Sequence, residues 1–293
     1  MSSIAFFTHD AENADAPADN GSDPWFTPTR YAASLWAPGT LNGPAVCALA
    51  ARAAEHAYPV TGFRPARFTI DLFKVARDCP TTTRSRLVRD GGRIKVAEVD
   101  VVQSVDGAEV LVARSTTVFV KESTNPPGER WERPPETIEF HPPETDADDR
   151  FPWYGATTES GEIEWSQDMG AHQNARRNRL WTRAVSTVVG ERPSAFERAV
   201  ISGESTSLVG NWGSEGIAFI NCDLTVALSR LPVGSRIGVE AASHVEVDGI
   251  STSTTNLYDT EGQFGVGMVT GVDNSAATID FTAIDTGNRY SEA

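Results

Sequence analysis

The sequence predicts an α+β protein made of two similar units, each a helix followed by a meander of antiparallel strands. Three observations carry this. Helical runs of small apolar residues near positions 45 and 199 are each followed by runs alternating with a period of two. Turn sequences of the hairpin type separate those runs: Asp90-Gly91-Gly92, Asp106-Gly107, Val247-Asp248-Gly249 and Thr260-Glu261-Gly262. The spacing also recurs, because Lys74 to the turn at Asp106 and Ser229 to Glu261 both span 32 residues. A repeated order at constant offset signals duplication, and the period is far too long for a solenoid.

Residues 1–23 hold five acids and no bases, which predicts a mobile acidic tail with an apolar start at Ile4 to Phe7. Residues 35–40 read as a short extended approach, after which Asn42-Gly43-Pro44 opens a helix. Asn42 suits the cap, and Pro44 suits the first turn, where its missing N–H is no loss. Val46, Leu49, Ala50, Ala53 and Ala57 fall on one face, with Arg52 and Glu55 off it, and Pro59 stops the helix. Strands are expected at 67–76, 81–89, 93–103 and 109–121, completing a first unit over 24–121. A helix wrapped by such a meander is the hotdog arrangement.

Residues 122–150 carry three Pro-Pro pairs among nine acids and three bases, the composition of an extended linker. The second unit, 151–293, begins with strands near 162–165 and over 179–189. A helix over 193–204 and strands near 217–231, 235–246, 250–259 and 263–272 follow. Two hotdogs in one chain would share one antiparallel sheet across a pseudo-twofold, a double hotdog.

The formal charge of −15 excludes nonspecific nucleic-acid binding, which needs a basic face. Residues 64–95 nevertheless carry nine bases against three acids. Such a stretch could hold a polyanionic small ligand, or its side chains could simply alternate onto a solvated sheet face. Cys47, Cys79 and Cys222 lack metal or redox spacing and read as reduced thiols of a cytoplasmic protein. The five histidines show no ligand spacing, so no metal or cofactor is expected. No apolar run reaches a membrane span, there is no export signal, and homo-oligomerisation is left open.

Asp223 opens the alternating run Asp-Leu-Thr-Val-Ala-Leu-Ser-Arg. It is either a solvated turn or edge residue, or a carboxylate held at a site. The series Asn221-x-Asp223-Leu224, Ser229-Arg230-x-Pro232-x-Gly234, Asp248-Gly249-Ile250 and Leu257-Tyr258-Asp259-x-x-Gly262 resembles the second half of the bacterial acyl-CoA thioesterase II family. There the order is Asn-Pro-Asp-Leu, a basic-Pro turn, Asp-Gly-Ile-Gly and a Leu-Tyr-Asp-x-x-Gly hairpin. The likeness spans residues 25–285 in patches.

The resemblance implies hydrolysis of fatty acyl-CoA to free acid and CoA by a water-orienting Asp, a Thr or Ser hydroxyl and a Gln amide. The Asp falls on Asp223 and the hydroxyl on Ser243. The Gln is not matched: its place is Val269 or Thr270, and Thr270 keeps only a hydroxyl. Asn42 and Gly43 match the family's helix start and are candidates for the oxyanion contact, or else only a capped helix. Glu204 matches a family Asp and is a candidate site member. His244 is adjacent to Ser243 on one strand, so the two point to opposite faces and form no dyad. The first half has no acid equivalent to Asp223, so one site per chain is expected. The unmatched Gln motivates an alternative from another class, a catalytically silent acyl-CoA or acyl-ligand binding protein; a third reading gives Arg230 and the acidic surface to a protein partner.

Overall fold

The computed structural model describes residues 4–9, 23–58, 61–132, 140–145 and 151–284. Its first helix, α1 (Gly43–Ala57), is capped by the Asn42 side chain, which accepts the Ala45 N–H at 2.9 Å. Every residue from Ala45 to Ala54 is buried, so α1 is enclosed on all sides rather than lying on the sheet by one face. Arg52, expected on a polar face, is 6 % exposed. It makes a two-pronged ion pair with Glu191 at 2.7 and 2.8 Å. A guanidinium can be buried there because Glu191, from the second half, neutralises it and matches its fork.

The first meander is β1 (Phe63–Leu72), β2 (Thr81–Asp90), β3 (Ile94–Val105) and β4 (Ala108–Lys121). Next come β5 (Trp153–Thr157), β6 (Ile163–Ser166) and β7 (Asn178–Arg183), then α2 (Ala195–Glu204) and the short α3 (Thr206–Asn211). The second meander is β8 (Asp223–Leu228), β9 (Arg236–Val247), β10 (Ile250–Asp259) and β11 (Gly262–Asp273). Asp106-Gly107 and Asp248-Gly249 both have φ above +50°, the mirror-image turn that an Asp-Gly pair tolerates and a twisted hairpin needs.

Within the main sheet the central order is β2-β3-β4-β1-β8-β11-β10-β9, continued by β7, β5 and β6. Each meander therefore has the same internal order, its first strand against its last. The strand starts are displaced by a nearly constant offset, 81, 94 and 108 against 236, 250 and 262. The halves join through the antiparallel pair β1–β8, with Leu224 opposite Ile70 and Val226 opposite Phe68. Phe68 meets Phe196 of α2 edge-on at 6.1 Å, so the core is continuous across this seam. At Gly203 any side chain would strike Val226, which lets α2 lie directly on β8.

Three sequence expectations change. Ala5–His9 is a strand, paired in parallel with Ser186–Val188, and Phe6 and Phe7 are buried. The rest of the expected tail, 1–3 and 10–22, lies outside the described residues, as do 133–139 and 146–150 of the expected linker. Within that linker Phe140 is packed, its ring stacked on Tyr258 at 4.6 Å and seated over Gly238. The expected strand over 179–189 is split into Asn178–Arg183 and Ser186–Val188, which belong to opposite ends of the sheet.

Candidate active site

A cavity of about 670 Å³ opens between the two halves, within the range of small-molecule sites. The first half lines it with Tyr31, Trp36, Asn42, Gly43, Val46 and Leu72; the second contributes Ile201, Glu204, Leu208, Ile220 and Asn221, among others. Most of its wall is apolar, and a group of polar side chains, Asn42, Glu204 and Asn221, lies where the start of α1 meets the end of α2.

Glu204 is the last residue of α2, where Ser205 turns the chain into α3. Its residue is 7 % exposed. The carboxyl lies so close to Gly43 that a Cβ built there would be 2.0 Å from Glu204 Oε1. Glycine is required at position 43 by space, not by backbone angle. Asn221 Nδ2 donates to Glu204 Oε1 at 3.3 Å. Burial raises the Glu204 pKa to about 8, and the Asn221 amide opposes that shift. The two helix ends act oppositely on this group: the carbonyl end of α2 disfavours its anion, whereas the N–H end of α1 favours it. An acid poised near neutrality, packed against the start of a helix in an apolar cavity, can exchange protons with a bound molecule.

Asp223 stands elsewhere. Its Oδ1 accepts the Thr270 backbone N–H at 2.5 Å and its Oδ2 accepts the Thr270 hydroxyl at 3.1 Å. On this strand four residues separate Asn221 from Thr225, whereas their partners Gly271 and Met268 are three apart, so the ladder bulges here. The Asp223 carboxylate takes over a sheet N–H that the bulge leaves without a ladder partner. Thr270 pairs with Thr252, while the neighbouring Ser251 and Ser253 point toward Asn211 of α3. Asp223 and Thr270 therefore occupy the face of the sheet opposite α2 and α3.

Ser243 is three strands from Asp223, about 14 Å at ordinary strand spacing. Its hydroxyl bonds Thr254 Oγ1 at 2.7 Å in an exposed position. The structure thus brings Asn42, Gly43 and Glu204 together and joins Asp223 to Thr270. It does not unite Asp223 with Ser243, and none of Asp223, Ser243 and Thr270 lines the cavity. Asn221 was legible only as part of the Asn-x-Asp-Leu motif, not as a partner of Glu204.

Two other sequence features resolve as structural. Arg230 makes a two-pronged pair with Asp259 at 2.5 and 2.7 Å, and the Val233 and Glu261 N–H groups bond the same carboxylate. Burial works against this anion, but those donors outweigh it and lower its pKa. Four of the nine bases of the cationic stretch are paired: Arg64 with Glu122, Arg84 with Glu109, Arg86 with Glu98 and Lys95 with Asp90. Lys74, from the same stretch, lines the cavity wall together with Arg183 of the second half. Among the described residues no group of three or more His, Cys, Asp or Glu could hold a metal, and no helix is long and apolar enough to cross a membrane.

Comparisons with known proteins agree with this architecture. Solved structures of similar shape include a tesB protein of Mycobacterium avium subspecies paratuberculosis (TM-score 0.57, 14 % identity, 85 % of this chain and 92 % of that one). An acyl-CoA thioesterase II of Mycobacterium marinum has a TM-score of 0.57 at 13 % identity, covering 79 % and 88 %. A hot dog fold protein of Alicyclobacillus acidocaldarius has a TM-score of 0.58 at 14 % identity, covering 85 % and 92 %. At such identities the likeness shows the fold, which is of the hotdog type. No curated protein matches the sequence. The model of the acyl-CoA thioesterase N-terminal domain matches residues 32–120 and that of the C-terminal domain matches residues 129–267. With most of its length covered by these two domains in their natural order, the chain belongs to the acyl-CoA thioesterase family.

Proposed function

We propose that the protein is a double hotdog that hydrolyses acyl-CoA thioesters at one site per chain, with Glu204 as the base that activates water. The observation that carries this reading is the buried Glu204 carboxyl lodged against Gly43 at the N–H end of α1, inside the cavity between the halves. In its ionised form Glu204 takes a proton from water, whose oxygen attacks the thioester carbonyl carbon. The carbonyl oxygen gains negative charge, and the Gly43 N–H with the α1 dipole stabilises it. The carbon–sulfur bond then breaks, and the proton held by Glu204 passes to the leaving sulfur, releasing CoA thiol and a free acid. Asn221 orients the carboxyl. Its amide occupies the chemical role for which the resemblance led us to expect a Gln, so the absence of an amide at Thr270 does not leave the acid without one.

The acyl chain lies along the apolar wall, and Lys74 and Arg183 of the lining attract the CoA phosphates. Thiol release from octanoyl-CoA by the wild type and by Glu204→Gln tests the assignment. Turnover in the wild type that disappears in the variant is expected. Turnover that survives the substitution overturns Glu204 as the base, and tight binding without turnover in both proteins identifies a silent acyl-CoA binder.

A further inference from the structure

The family match ends at residue 267, and the described residues continue to 284. This continuation does not trail into solvent. Ile279 forms a two-way backbone bridge with Ile217, each N–H donating to the other's carbonyl at 3.0 Å. Gly216, at φ +98°, passes so close beneath it that a Cβ would lie 2.0 Å from the Ile279 carbonyl oxygen. Two residues on, the Phe281 N–H donates to Gln173 Oε1 at 2.8 Å, and Gln173 Nε2 donates to Asp280 Oδ1 at 3.0 Å. The Gln173 side chain thus grips the strap by both its donor and its acceptor. Asp280 is tied in turn by the Thr282 hydroxyl at 2.7 Å.

What this tethering delivers is two bulky apolar side chains. Ile279 and Phe281 are 9 % and 5 % exposed, and both line the cavity that contains Glu204. Phe281 is braced from behind by Trp212, edge-on at 5.2 Å. The cavity wall runs along the chain from Ile217, which holds the strap, to Asn221, which holds Glu204. Four residues of extended backbone reach at most about 14 Å, which limits how far the strap wall stands from the reacting carbonyl along that side. A wall within that limit stops a long acyl tail before a medium-length one.

We infer that the strap over 274–284 forms the end wall of the acyl pocket and that Phe281 and Ile279 set the chain length accepted. This rests on the acyl-CoA reading above and deepens it to medium-chain substrates. Binding energy in an apolar pocket responds to single methylene groups, so opening or filling the wall should re-rank substrates rather than change all of them alike.

The experiment compares wild type, Phe281→Ala, Phe281→Trp and Gln173→Ala on butanoyl-, octanoyl-, dodecanoyl- and hexadecanoyl-CoA. Two readouts are taken: kcat/KM by thiol release, and affinity by displacement of a fluorescent fatty acid with non-hydrolysable thioether analogues. Phe281→Ala is expected to raise the hexadecanoyl-to-octanoyl ratio by about tenfold, and Phe281→Trp to lower it comparably. Gln173→Ala, which leaves the ring in place and loosens its tether, is expected to broaden the preference, and it decides the matter if Phe281→Ala folds poorly. A wild type that turns over nothing but shows these shifts in affinity sinks the hydrolase and leaves the strap standing. Variants that alter every chain length by the same factor, or none, in both readouts overturn the strap as the end wall.

Discussion

Glu204 and Asp223 are carboxylates of the same half, close in sequence, yet the protein puts them to different uses. Glu204 ends a helix, faces the cavity and has, among the described residues, one weak donor in Asn221, so burial dominates and raises its pKa to about 8. Asp223 lies on the opposite face of the sheet, with the backbone N–H of Thr270 bonded to one carboxylate oxygen and the Thr270 hydroxyl to the other. An acid whose acceptors are already committed to the sheet serves the fold. One left short of donors in an apolar cavity retains the proton affinity that a base needs.

The contrast can be broken most forcefully at Glu204. Glu204→Gln is expected to lower kcat/KM for thiol release by roughly 10²–10⁴-fold, the usual contribution of a general base. The same substitution should stabilise the fold. The Glu204 pKa is raised on folding from its ordinary 4.5 to about 8, so the native state loses stability as pH climbs through that interval and the group must be ionised. Thermal melts at graded pH should therefore show the advantage of the Gln variant absent near pH 4, growing upward and complete above about pH 8. Next in size, Gly43→Ala should push the carboxyl off the α1 terminus and cost about 10²-fold in kcat, comparable to losing an oxyanion donor. Asn221→Ala removes the donor that opposes the pKa shift, so the pH profile should move in the alkaline direction, a factor of about ten at neutral pH per unit moved. The smallest effect is expected at Asp223→Asn. The amide keeps an oxygen for the Thr270 N–H, so turnover should stay within a factor of about three and stability should fall by about 1 kcal/mol in denaturant titration.

Much of this architecture was legible from local chemistry. The Asn42 cap, the hairpin turns and the strand runs at 81–90, 94–105, 250–259 and 262–273 follow from residues that specify their own conformation. What escaped depends on distant partners. Arg52 reads as a surface residue until Glu191 of the other half is placed against it. Gly43 reads as a helix start, and nothing local reveals that its missing side chain is the space that Glu204 fills. The resemblance places Asp223 and Ser243 in one site, and strand periodicity cannot check that, because it assigns a face but not which strands intervene, and the bulge at Cys222 resets the register. The capping box of α2, Ser194 with Glu197, was a readable signal that marks the helix start, which lies two residues beyond the expected one.

The most direct measurement is the pH dependence of kcat/KM for octanoyl-CoA in the wild type, Glu204→Gln and Asp223→Asn proteins. A rising limb centred near pH 8 in the wild type, retained in Asp223→Asn and missing from the residual activity of Glu204→Gln, is the predicted result. A limb that persists without the Glu204 carboxylate, or one that vanishes with Asp223, would contradict it.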